Sequence, residues 1–186
     1  MKTHSLILAA FLGCIATGSA ISMTKLEHTT QKDMISGDYK VSRDKCNALK
    51  ANAKDICVSE AKGVQRIAKA ELESAYEPSA RHTQKVAMAK GDAAYDTAKE
   101  KCDDSQGNAK NICRADAKAA HVKAQDEARV MRVSAEADKA KTGARSMANK
   151  DENEANFKAA SARCDSMTGA PKDTCIADAK LKYNQN

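Results

Sequence analysis

The sequence predicts an all-α protein made of three disulfide-closed antiparallel helical hairpins, arranged as an up-and-down bundle or as an elongated helical array. Three observations lead there: a composition dominated by helix formers, a threefold internal repeat carrying a cysteine pair in each copy, and helix stop and start signals between the two cysteines. Of 186 residues, 30% are charged and 3% aromatic, Trp is absent and Pro occurs twice. About a fifth of the chain is Ala. Ala, Lys, Glu, Gln and Arg lose little side-chain freedom in a helix, and no stretch alternates as a strand would. The same composition limits the core. Beyond residue 22, Leu occurs only at Leu26, Leu49, Leu72 and Leu181. A buried Ala removes much less apolar surface from water than a buried Leu, so covalent constraints are expected to assist packing.

Taking the elements in order, residues 1–20 read as a signal peptide. Met1-Lys2-Thr3-His4 is a short basic start, Ser5 to Ala16 is an apolar run, and Gly18-Ser19-Ala20 places small residues at −3 and −1 of a cleavage site. The apolar run is too short to span a bilayer as a helix. Lipidation of Cys14 after Leu12-Gly13 is the competing expectation, although Phe11 stands where a lipobox has Leu. Cleavage after Ala20 removes one base, Lys2, and no acid, so the net charge falls from +6 to +5. Residues 21–186 then form one helical repeat domain, exported and most naturally periplasmic.

The repeat is ungapped over 24 positions in each copy. The first copy runs from Tyr39 through Cys46 and Cys57 to Glu60-Ala61-Lys62. The second runs from Tyr95 through Cys102 and Cys113 to Asp116-Ala117-Lys118. The third runs from Phe157 through Cys164 and Cys175 to Asp178-Ala179-Lys180. The offsets are 56 and 62 residues. Turns are expected near 51–52, 107–108 and 169–170. Gly107 and Gly169 suit the left-handed position just past a helix, Asn108 and Asn52 are expected as N-caps, and Pro171 suits a first helical position. Asp55, Asn111 and Asp173 are expected in first turns, where the helix dipole favours them. A bend between the cysteines brings each pair within bonding reach, predicting Cys46–Cys57, Cys102–Cys113 and Cys164–Cys175. On an unbroken helix the same cysteines would lie about 16 Å apart and stay unpaired. Their spacing does not suit zinc, and the histidines stand singly in the sequence. No metal or cofactor is expected.

Helices are expected near 24–50, 53–76, 80–106, 109–141, 145–168 and 171–183, with Pro78 ending the second. The division at Thr142-Gly143 competes with a single helix over 109–168. Narrow apolar seams follow each turn: Cys57, Ala61, Val64, Ala68, Leu72 and Ala75, then Cys113, Ala117, Ala120, Ala124, Ala128, Met131 and Ala135. The rings of Tyr39, Tyr95 and Phe157 share a face with their cysteines and are expected to pack.

The pattern Lys/Arg-Cys-Asp/Asn around Cys46, Cys102 and Cys164, followed by Gly-Asn-Ala-Lys-Asp/Asn-Ile-Cys, resembles a group of small Ala/Lys-rich bacterial envelope proteins often labelled TolA-like. The resemblance covers most of residues 39–180, with Ala51 and Gly169-Ala170-Pro171 departing from it. It implies an envelope location and a helical fold, and carries over no functional residue. No phosphate loop, metal constellation or nucleophile motif stands in the sequence, so a non-enzymatic structural or interaction protein is expected, with an envelope protein or an anionic envelope surface as partner. A chaperone-like stress protein presenting Met23, Met34, Met88, Met131, Met147 and Met167 is the alternative. Balanced charge and few stacking aromatics argue against nucleic acid. Once the signal is cleaved, no transmembrane span is expected. Nothing in the sequence sets the oligomeric state.

Overall fold

The first helix, α1 (Lys25–Lys45), begins at a reciprocal cap. Thr24 accepts from the Glu27 backbone N–H, and the Glu27 carboxylate accepts from the Thr24 backbone N–H at 2.7 Å. These hydrogen bonds, the backbone one foremost, hold the Glu27 carboxyl below its ordinary range. A 3₁₀ turn (Cys46–Ala48) leads into α2 (Ala51–Tyr76), followed by α3 (Ala80–Cys102), α4 (Gly107–Cys164) and α5 (Ala170–Lys182). This computed structural model describes residues 23–185. The expected signal segment and Cys14 lie outside the described residues, among which there is no strand.

Each hairpin turns through a left-handed residue, Ala51 (φ 48°), Gly107 (φ 57°) and Gly169 (φ 65°), at equivalent places in the repeat. The expected asparagine caps are not made. The capping positions are Lys50 and Gln106, and neither side chain caps its helix. Asn52 instead donates to the Glu100 carbonyl (2.8 Å) and to Asp104 (2.7 Å), tying the first turn to the end of α3. Of the three residues expected in first turns, only Asp173 lies in one as an acid. The left-handed residue begins the helix by itself in the first two copies, which pushes Asp55 and Asn111 to the fifth place.

Pro78 acts as expected. Helix α2 stops at Tyr76, Glu77 leaves helical geometry, and Ser79 caps α3 by accepting from the His82 N–H at 3.1 Å. The division at Thr142-Gly143 is not made: the helices expected at 109–141 and 145–168 are one helix, α4. A helix-interior Gly costs only about 1 kcal/mol relative to Ala. Without positive φ, a cap or a Pro, Gly143 does not end the helix.

Each helix packs only against its neighbours in sequence: α1 on α2, α2 on α3, α3 on α4, α4 on α5. The arrangement is therefore the elongated array, not a closed bundle. Helices α1, α2, α3 and the first half of α4 form a layer one helix thick. At 58 residues, α4 is about 87 Å long. Its residues 133–152 are exposed on every side, because α3, which runs beside it, begins only at Ala80. The far end of α4 pairs with α5 alone.

The core is thin and built from small side chains. Cys46, Cys102 and Cys164 are its largest fully buried side chains, joined by Ala61, Leu72, Ala89, Ala93, Ala128 and Ala179. The expected seams hold in part. Ala61, Leu72 and Ala128 are buried, whereas Val64 (68% exposed), Met131 (47%), Ala75 and Ala135 are not. A single seam suits a helix with one neighbour, and α2 has two. Ala61, Gln65 and Ala68 line the groove shared with α1, while Ser59 and Gly63 are buried on the side that meets α3.

Candidate functional site

The six cysteines lie where the repeat puts them. Cys46–Cys57, Cys102–Cys113 and Cys164–Cys175 are disulfides with Cα–Cα distances of 5.6, 5.6 and 5.8 Å. In each pair the first cysteine is buried and the second half-buried, so these are staples at the hairpin ends. Ionic clasps reinforce two of them. Asp103, just past α3, accepts from Lys110 (3.2 Å) and Arg114 (2.7 Å) on α4. Those hydrogen bonds and charges hold its carboxyl below its ordinary value. The equivalent pair in the third copy is Asp165 with Lys172 at 2.9 Å. In the first copy Asn47 replaces the acid, so that clasp is absent.

Two histidines that stand singly in the sequence are brought to partners by the fold. His121 Nε2 donates to Asp92 Oδ1 (2.6 Å), and its ring lies flat on Tyr95, with centroids 4.5 Å apart. Lys99 and Lys118 both lie over the Tyr95 ring, at 4.7 and 5.6 Å. His121 Nδ1 is buried without a hydrogen-bond partner. His28 pairs with Glu73 (3.0 Å) and stacks on Tyr76 (4.4 Å). His121 is missed by reading the sequence singly; its equivalents in the repeat are Gln65, which lines a groove with Tyr39, and Tyr183. The clusters join neighbouring helices. Among the described residues, no group of three or more His, Cys, Asp or Glu side chains is arranged to hold a metal ion.

The larger feature is the layer itself, whose two faces differ. On one face shallow grooves run into each other. Tyr39, Ala61 and Val64 line the first, Val64, Ile67, Ala94 and Ala98 the second, and Ala94, Tyr95, Ala98 and Ala117 the third. The shared residues make these one ridged, largely apolar surface. Across the α2–α3 contact, the opposite face presents Asp55, Lys62, Arg66, Asp96, Lys99 and Glu100. There Arg66 and Lys99 both clasp Asp96, at 2.9 and 3.1 Å. Burial pushes the Asp96 carboxyl up, but the hydrogen bonds and charges of the two bases prevail and hold it below its ordinary value. Along its length, α4 exposes Ile112, Val122, Val130, Met131, Val133 and Met147. No described helix is long and apolar enough to cross a membrane.

Compared with known proteins, the chain matches no family model, no curated protein and no solved structure.

Proposed function

We propose that this is an exported, non-enzymatic helical protein of the cell envelope that acts as a spacer or scaffold, presenting long helical surfaces to an envelope partner. The observation that carries the reading is the open array: each helix touches only its chain neighbours, and α4 projects about 30 Å of bare helix between two stapled ends. A protein built around an enclosed reaction centre has no use for such exposure, whereas a spacer does. Three disulfides fit an oxidising compartment, and the apolar run before Gly18-Ser19-Ala20 supplies the route to it. The net positive charge adds attraction to anionic envelope surfaces, which salt weakens.

The test begins with the intact mass of the protein recovered from its native envelope and alkylated without reduction. Loss of residues 1–20 and the absence of alkylation are expected. A full-length mass with alkylated thiols would overturn export, and a diacylglycerol on Cys14 would make the protein a tethered lipoprotein. Deletion of the gene is expected to sensitise cells to detergent and osmotic stress; unchanged tolerance would defeat the scaffold role.

A second reading rests on Met34, Met131, Met147 and Met167, which are all exposed. Flexible Met side chains adapt to varied apolar partners, as a chaperone-like stress protein requires. This reading expects the oxidised protein to suppress aggregation of a model substrate. No suppression at stoichiometric excess rejects it.

A further inference from the structure

The repeat says what the exposed face of α4 is for. Shifting α2 by 56 residues lays it on the first half of α4: Ser59, Gly63, Arg66 and Ser74 become Ala115, Ala119, Val122 and Val130. In α2 that face receives α3. Gly63 meets Ala93 so closely that an added Cβ would stand 2.8 Å from the Ala93 Cβ, and Ser59 meets Thr97 at 3.4 Å between hydroxyls. Ion pairs Lys101–Glu60, Arg66–Asp96 and Lys90–Glu71 flank the contact. In α4 the equivalent face meets nothing: Ala115, Ala119, Val122 and Val130 are all exposed.

The segment equivalent to α3 is also unpartnered. Shifting α3 by 62 residues lays it on the second half of α4, where Ala93 and Thr97 become Ala155 and Ala159, and His82 becomes Ala144. All three are exposed. In the first copy the chain turns at Glu77-Pro78-Ser79 and the two faces meet. In the second it has six more residues between the repeats and no Pro, so α4 runs straight and carries the matching faces about 54 Å apart, from Ala119 to Ala155. They cannot meet within one straight helix.

We infer that a second copy of this chain completes both faces: α4 pairs antiparallel with α4 of its partner about a twofold axis at Ala137, reproducing the α2–α3 contact twice. The α2–α3 register, Gly63 on Ala93 and Ser59 on Thr97, transfers with the helices roughly 1 Å further apart, because Ala119 carries the Cβ that Gly63 lacks. Ala119 meets Ala155 of the partner, Ala115 meets Ala159, Val130 meets Ala144, and Ala137 meets itself. The Lys101–Glu60 pair becomes Arg163 with Asp116, preserving sign, and Lys123 falls opposite Asp151. Arg66–Asp96 becomes Val122 beside the stem of Lys158, an ion pair exchanged for apolar contact. Lys90–Glu71 becomes Glu152 facing Glu127, the unfavourable contact in the set. Each half of the dimer is then a six-helix layer with the distal hairpin supplied by the partner, an isologous exchange of identical elements.

The test uses the oxidised mature chain. Light scattering is expected to give twice the chain mass. Ala119→Glu or Ala155→Lys alone should weaken the dimer by about tenfold or more, since each places an unpaired charge in the seam. The two together should restore part of it, because the new charges face each other while both side chains are larger than the alanines they replace. Both sites are exposed in the single chain, so helicity by circular dichroism should not change. Separately, Ala119→Cys with Ala155→Cys should give a covalent dimer on oxidation. A monomeric mass overturns the inference, as does a dimer indifferent to these variants. A cross-link formed within one chain also overturns it, and would show α4 bending back on itself.

Discussion

The α2–α3 contact can be tested at the point of closest approach. Gly63 is buried, and a Cβ added to it would stand 2.8 Å from the Ala93 Cβ and 3.5 Å from its Cα. Carbon atoms rest at about 3.5–4.0 Å, so Gly63→Ala must part the helices by roughly 1 Å at that layer. Neither obstacle is the end of a flexible side chain. The displacement also stretches the Ser59–Thr97 contact and the Arg66–Asp96 pair, at 3.4 and 2.9 Å. Overpacking of this kind costs about 1–3 kcal/mol. Against it, replacing a mid-helix Gly by Ala returns about 1 kcal/mol of helix propensity. The change at Gly63 alone is thus a small net loss, and the informative quantity is its difference from a control. Gly37 in α1 has nothing within 4 Å, so Gly37→Ala should gain the full propensity term of about 1 kcal/mol. The two variants should therefore differ by about 1–3 kcal/mol in urea unfolding followed by far-ultraviolet circular dichroism, with disulfides intact and equal slopes. Adding Ala93→Gly to Gly63→Ala moves the methyl across the seam and should recover most of the clash. If Gly63→Ala stabilises the protein as much as Gly37→Ala, α2 and α3 do not meet there, and the packing argument fails.

Three further outcomes follow from the hairpin ends. Ala51 holds the left-handed place that Gly107 and Gly169 hold in the other copies, so Ala51→Gly should stabilise and Gly107→Ala destabilise, each by about 1 kcal/mol; thermal unfolding of both variants checks the opposite signs, and shifts in the same direction would contradict them. The Asp103 carboxyl is held below its ordinary 3.8. Its clasp therefore stabilises fully above that value and is lost as pH falls through the depressed one, so melting temperature should drop between about pH 5 and pH 2, and Asp103→Asn should flatten part of the drop. The distal hairpin buries only Cys164 and Ala179, and its disulfide closes a loop worth on the order of 3 kcal/mol. Mild reduction should speed hydrogen exchange in Ala170–Lys182 before it does so in α2 and α3; uniform loss of protection would show that packing, not the staple, holds that hairpin.

The disulfide pairing and the hairpin turns are legible in the sequence because they repeat: Gly107 and Gly169 state a rule that the weaker first copy, with Ala51, still obeys, whereas Pro171, expected as a first helical residue, is the second residue of α5. Pro78 is legible for the same reason that it works, since its ring fixes the local backbone whatever surrounds it. The cap at Thr24 follows the local pattern Thr24-Lys25-Leu26-Glu27, whereas the caps expected from equally local signals at Asn52 and Asn108 are not made. What depends on neighbours is less legible. Val64 continues an apolar seam in the sequence, yet lies 68% exposed because α2 turns one side to α1 and the opposite side to α3. Gly63 reads as a weak helix residue, and only the partner helix shows that it is the place of closest approach. His28 and His121 stand alone in the chain, but long-range contacts bring them to Glu73 and Asp92.

The same contrast explains why three similar sequences do not make three similar surroundings. Within a copy, the disulfide and the left-handed turn act over a dozen residues and give the same hairpin each time. Between copies the outcome rests on the connector. Glu77-Pro78-Ser79 forces a turn, so the first two hairpins lie side by side and bury Ala89, Ala93 and Gly63 between them. The connector after Arg132 has Gly143 but no Pro, and a Gly that can keep ordinary helical geometry weakens a helix without ending it. The backbone hydrogen bonds of α4 therefore continue, and the third hairpin is carried away from the layer. Restoring a turn there should reverse this. Replacing Ser134 with Pro in the connector, at the place equivalent to Pro78, removes one helical hydrogen bond and costs the straight helix about 3 kcal/mol. A chain that bends there can bring Ala119 against its own Ala155. Spin labels on those two residues should then report a separation well under the roughly 54 Å of the straight helix. Labels that remain at the straight-helix distance would show that the connector does not decide where the third hairpin lies.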